Sequence, residues 1–295
     1  MPKPVQFKLL RYAVVPRPQL QLIAPDIPEP KGRVVERVIG TEGPPAIFTY
    51  WGRQFAFVGF SYSPDRRFLI GTLAKRKSVD IGQLEERQVV EVTTDDWIPI
   101  WIVFDVLEQY VAAEINQRFG KLDHVVQVLQ TGLAEVVENE YLHDIVVSPV
   151  TDPRRFWEIV AEYPLIYRAT FRFVSPNFLN TPRRVRELLS GWQELYNQTV
   201  ANIELRNDEG ALQVPEADLG DAVEYIASGE GAWGLEVAED PTQAHRAFSS
   251  ADSTETFFVE IPRASHSAED LEKVPANERT LLAKLIAVLT RRNAA

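Results

Sequence analysis

The basic side chains of this sequence offer its most direct chemistry. The tripeptide PRR occurs twice, in DPRRFWEIVAEYP (Asp152 to Pro164) and in TPRRVRELL (Thr181 to Leu189). Each time a cap-type residue, Asp152 or Thr181, precedes a proline, and an apolar-periodic run follows. That pattern predicts two helix starts, with Pro153 and Pro182 at the first helical position. A helix N-terminus carries partial positive charge, so Arg154, Arg155, Arg183, Arg184 and Arg186 stand against the dipole, at a cost of up to about 1 kcal/mol each unless they are paired. Guanidinium forks match phosphate oxygens, and helix N-termini add backbone donors. Two readings follow. Either these arginines hold an external anion, or Asp152, Glu158, Glu187 and the acidic segments neutralise them.

A second basic group supports the first reading. Between Arg53 and Lys77 six basic residues (Arg53, Arg66, Arg67, Lys75, Arg76 and Lys77) accompany one acid, Asp65. Between Thr151 and Trp192 there are seven arginines and four acids, whereas eighteen acids outnumber five bases from Val200 to Thr280. The net charge of -11 therefore hides a segregation that lets a local positive face capture a polyanion. Tyr62, Phe68, Phe156 and Trp157 lie beside these cations in sequence and are candidates to stack on bases or to fill the core. The same segregation also fits subunits that pair basic with acidic surfaces.

Other chemistries find less support. There is no cysteine, which removes disulfides, thiolate metal sites and cysteine nucleophiles. The four histidines (His124, His143, His245 and His266) show no metal-ligand spacing, and no nucleophile elbow, P-loop or dinucleotide fingerprint is present. Neither a cofactor nor a metal is expected, and no catalytic residue is assigned. Glu91, Asp95, Asp96 and Asp105 could gather around Mg²⁺ in a nuclease, but the usual E-x-K companion is missing because Val92 and Thr93 follow Glu91.

The elements that must position the basic groups read as an α+β fold with mixed or antiparallel sheets, long amphipathic helices and two domains. Residues 1–145 form a β-rich part with a long helical pair, and 146–295 an α+β part with the acidic segment and a terminal helix. FKLLRYAVV is expected as an edge strand. AIFTYWGRQFAFVGFSYS and DRRFLIGTLA form a hairpin around Pro64-Asp65, and Gln88 to Thr94 form a further strand. The run from Asp95 to Phe119 reads as a helix, broken at Gly120 from a second one that carries Leu122, Val125, Leu129 and Leu133 on one side. DIVVSPV, LIYRATFRFV, AWGLEVAE and STETFFVEIP read as strands, and the two strand-then-PRR-helix units suggest an internal duplication. No stretch approaches the ~20 apolar residues needed to cross a membrane and no signal peptide is evident, so a cytoplasmic protein without membrane insertion is expected.

The stretch LIYRATFRFVSPNFLNTPRRVRELL, continued by NIELRNDEGAL, resembles RexA-type phage-exclusion proteins and KwaB-like anti-phage defence proteins. It shares an aromatic and basic strand, a Pro-Asn turn, a basic helix and a later Gly-Leu turn. The resemblance implies a non-enzymatic DNA binder that responds to phage infection. Together these readings lead to the expectation of a non-catalytic protein that binds nucleic acid or another polyanion and self-associates through helices or with a protein partner. Arg66, Arg67, Lys75, Arg76, Lys77, Arg154, Arg155, Arg183, Arg184 and Arg186 are its expected contacts. A protein-assembly module and a Mg²⁺-dependent nuclease are the alternatives.

Overall fold

Two antiparallel sheets and the helices laid on them form the structure. The computed structural model describes residues 4–17, 20, 23–40, 44–85, 88–174, 191, 195–196, 200–260 and 281–293. The larger sheet contains β1 (Pro4–Pro16), β2 (Ala46–Tyr50), β3 (Arg53–Tyr62), β4 (Phe68–Glu85), β5 (Gln88–Asp105), β6 (Tyr110–Glu114), β7 (His143–Pro149) and β12 (Thr256–Glu260). Its order is β12-β1-β6-β5-β4-β3-β2, with β7 also on β1. The smaller sheet has the order β11-β10-β8-β9, from β8 (Leu165–Val174), β9 (Val200–Arg206), β10 (Gly231–Ala238) and β11 (Arg246–Ser249). The α+β class with antiparallel sheets is the one the sequence implied.

Burial on both faces explains the large sheet. Leu10, Tyr12 and Val14 point into a core with α1 (Val34–Ile39) and α2 (Leu122–Glu140), while Phe7 and Leu9 point into a second core with Leu285, Val288 and Leu289 of α5 (Leu281–Asn293). A strand covered on both sides reads as a continuous apolar run. That corrects the expected edge position of β1, which is an interior strand paired with β6 on one side and with β12 and β7 on the other. No helix among the described residues is long and apolar enough to cross a membrane.

The helical pair expected in the first half is a single helix. Residues 95–119 do not form a helix: they complete β5, turn, and form β6. The cause is again two-sided burial, because WIPIWIVF has no strict alternation to mark it as a strand. Asp105 makes the turn. Its carboxylate accepts from Leu107 N and Glu108 N at 3.1 and 3.2 Å and from Arg67 Nη2 at 2.6 Å. Gly120 therefore separates a strand and a helix rather than two helices.

On the smaller sheet, α3 (Pro153–Glu162) and α4 (Glu216–Tyr225) cover a core of Phe156, Ile159, Phe171, Val223, Tyr225 and Trp233. The expected N-cap is present, since the Asp152 side chain accepts from Arg154 N at 2.9 Å and Pro153 opens the helix. The second PRR segment lies outside the described residues, as do Arg183, Arg184 and Arg186 and with them the suggested duplication.

A buried charge pair joins the sheets. Arg11 of β1 approaches Glu230 at 3.1 Å, with side chains 4% and 1% exposed. Glu230 ends a π-turn (Ile226–Glu230) that leads from α4 into β10. Burial pushes its carboxyl above the usual range, and Arg11 pulls it partly back. Gly229 has φ of 88°, and a Cβ there would stand 2.6 Å from the Arg11 Cβ, so the close approach of the turn to β1 requires glycine. The division expected at residue 145 falls inside β7, which pairs with β1 along Leu10 to Pro16.

Candidate polyanion-binding groove

The long β4–β5 hairpin creates the site. Its strands pair from Phe68 with Asp105 to Glu85 with Gln88, but β3 accompanies β4 only as far as the Phe55–Lys75 pair. Beyond that point the hairpin extends as a two-stranded arm. The angle between this arm and the tip of the β2–β3 hairpin is a groove of about 840 Å³. Arg53 and Gln54 line it from β3, Lys75, Arg76, Lys77 and Ser78 from β4, and Arg118 from the loop before α2. Strand alternation places Arg53, Lys75 and Lys77 on one face, in line with the buried Phe55 and Leu73. The apolar face thus turns cationic where it runs past the end of α2's cover.

The cations differ in how firmly they are held. Lys75 Nζ donates to the Phe119 carbonyl at 2.7 Å, and its pKa is lowered by burial and then by the charges of Arg53 and Lys77. Arg76 donates to Asp95 at 2.5 Å and to Gln54 Oε1. Its hydrogen bond holds the Asp95 carboxyl below the usual range. Arg118 lies 3.6 Å from Asp96, an exposed pair of small energetic weight. Among the described residues, Arg53 and Lys77 make no ion pair, and both are exposed. Beneath them His124 sits among Tyr50, Phe55 and Phe119. Burial first, then Lys75 and Arg53, keep its pKa below the usual value. The same positive field that disfavours a proton on His124 favours an incoming anion.

Of the expected contacts, the structure brings Lys75, Arg76 and Lys77 together. It adds Arg53, which the charge count singled out, and Arg118, which no local pattern marked because it arrives from a loop distant in sequence. The remaining described arginines lie elsewhere. Arg67 is bound to the buried Asp105 through Nε and Nη2, and the Arg66 guanidinium lies 4.5 Å from the Tyr62 ring centre. Arg154 and Arg155 pair with Asp152 and Glu158 at 2.6 and 3.0 Å. Arg154 lies near Glu255, next to β12, a strand four spacings from β4, roughly 20 Å at about 4.8 Å per strand. Phe156 and Phe68 are core residues. Among the described residues no three histidine, aspartate or glutamate side chains gather as a metal site. Asp95 and Asp96 face Arg76 and Arg118, while Asp105 lies at the far end of β5.

Fold and groove together define a class: two packed antiparallel sheets with a cationic groove at the root of a projecting hairpin. No protein-family model matches the chain, and no curated protein matches its sequence. The resemblance to RexA-type and KwaB-like proteins rests on its quoted stretch alone.

Proposed function

We propose that the protein binds nucleic acid, or a polyanion of like charge spacing, in the groove between the β2–β3 tip and the β4–β5 arm. The observation that carries this reading is the convergence of Arg53, Lys75, Lys77 and Arg118 on one concave surface, with Arg76 at its margin on the opposite face of β4, in a chain of net charge -11. Holding several cations close together is unfavourable in the free protein, and a chain of phosphates relieves that repulsion while releasing counterions. Arg53 and Lys77 have no ion pair among the described residues, and Arg76 can exchange Asp95 for a phosphate at little cost because that pair is exposed. The contacts described are suited to backbone phosphates, which position a strand without reading its sequence. The resemblance over the β8 region to DNA-binding defence proteins points the same way.

The test is binding to a labelled oligonucleotide across a salt series. The logarithm of affinity should fall linearly with that of salt, and Arg53→Ala/Lys77→Ala should reduce the slope by about 1.4–1.8, or ~0.7–0.9 per lost phosphate contact. Arg154→Ala/Arg155→Ala should leave the slope unchanged. Arg183→Ala/Arg184→Ala/Arg186→Ala tests whether the second PRR segment adds contacts. Binding that ignores both salt and the Arg53/Lys77 change overturns the reading.

A further inference from the structure

An indole stands at the lip of this groove where local physics disfavours it. Trp51 and Gly52 connect β2 to β3 as a two-residue turn in which both residues have positive φ, 47° and 72°. Tight hairpins of that kind favour asparagine, aspartate or glycine at the first position, and a bulky side chain is strained there. Burial does not offset the strain, because Trp51 is 89% exposed. Its ring is nonetheless held: Tyr50 stacks on it at 5.8 Å with 29° between the planes, and Tyr50 in turn packs against His124 at the edge of the core. Thr49, Gly52 and Arg53, neighbours of Trp51 in the chain, line the groove.

Resting on the groove reading above, we infer that the ligand is a single-stranded nucleic acid, with an unpaired base stacked on Trp51 and the adjoining phosphates on Arg53 and Lys77. An exposed aromatic ring beside a row of cations is a pairing suited to single strands. Every base has a π-face for stacking, and single strands present those faces freely. In a duplex the faces are buried against neighbouring bases, so Trp51 gains no partner along its length. A polyanion without bases would use the cations and leave the indole idle. The conformational cost of a tryptophan at this turn is thus matched to a function in binding rather than folding.

The experiment compares four probes at one salt concentration by fluorescence anisotropy: a 20-mer of thymidylate, an abasic 20-mer, a 20-base-pair duplex and heparin. The protein should bind the thymidylate strand about tenfold more tightly than the abasic one, the size of a single base stack. Trp51→Asn places a favoured residue in the turn, so it should fold at least as stably. It should lose that tenfold preference while keeping its affinity for the abasic strand, and Trp51→Phe should recover most of the preference. If thymidylate and abasic strands bind equally and both depend on Arg53 and Lys77, the stacking inference fails and the groove reading stands. A duplex bound as tightly as the single strand also overturns the inference. If no probe binds at low salt, the groove reading fails first.

Discussion

Arg67 immediately precedes β4 and Lys77 stands at its middle, and they are used in opposite ways. Arg67 grips Asp105, a carboxylate with no exposed surface, and the pair fixes the turn that carries β5 into β6. Lys77, with Arg53 beside it, projects over a groove and makes no ion pair among the described residues. Both belong to the basic segment that the charge count singled out. The first is spent within the fold and the second is open to a ligand. Arginine and lysine clusters in a sequence therefore mark potential, and the placement of a few carboxylates decides whether that potential faces inward or outward.

Removing the partner is the most forceful way to test the inward case. Asp105→Ala strands Arg67 in a partly buried site and leaves two backbone donors of the turn unmet, so a loss of about 3 kcal/mol in unfolding free energy is expected by urea titration. An unchanged midpoint would remove the contrast between Arg67 and Lys77. The α3 N-terminus is the second inward case. Asp152→Ala deletes a cap and the partner of Arg154, and should cost about 1 kcal/mol while leaving oligonucleotide affinity as it was. A gain in affinity would show Arg154 to be a latent contact.

The outward case can be sharpened by freeing a cation. Asp95→Asn releases Arg76 and removes one negative charge from the groove's edge, so affinity for a polyanion should rise about threefold with little loss of stability. A fall in affinity would mean that Asp95 positions Arg76 for the ligand. The smallest effect expected is on pH dependence. His124 has its folded pKa lowered by burial, Lys75 and Arg53, so on acidification the unfolded chain takes up the proton first. The stability that neutral His124 contributes is whole above about pH 6.5 and is lost as pH falls through the window below it. His124→Gln should flatten that part of the stability profile, and a bound polyanion should move the imidazole titration upward when followed by NMR.

Local patterns explain how much of this was legible. The α3 start was readable because a cap residue, a proline and an apolar stripe act within one turn of helix. The hairpin around Pro64-Asp65 and the strand β8 were readable for a similar reason, since turn chemistry and alternation are properties of neighbouring residues. Residues 95–119 misled because both faces of β5 and β6 are covered, which erases the alternation that marks a strand. The groove was half legible. Lys75, Arg76 and Lys77 are adjacent in sequence, but Arg118 joins them only through the return of the chain after β6. Trp51 gave no warning either, since its exposure depends on where the β2–β3 turn stands in the fold.

The sequence by itself determined the class of the fold, the helix start at Asp152, the absence of thiol chemistry and the segregation of charge. Each depends on composition or on residues a few positions apart. The tertiary structure alone decided which cations meet carboxylates and which meet solvent. Ion pairing is set by distances of a few ångströms between side chains on different strands, and those distances exist only once the register of β3, β4 and β5 is fixed. The register places Arg67 against Asp105 and leaves Arg53 and Lys77 facing the groove.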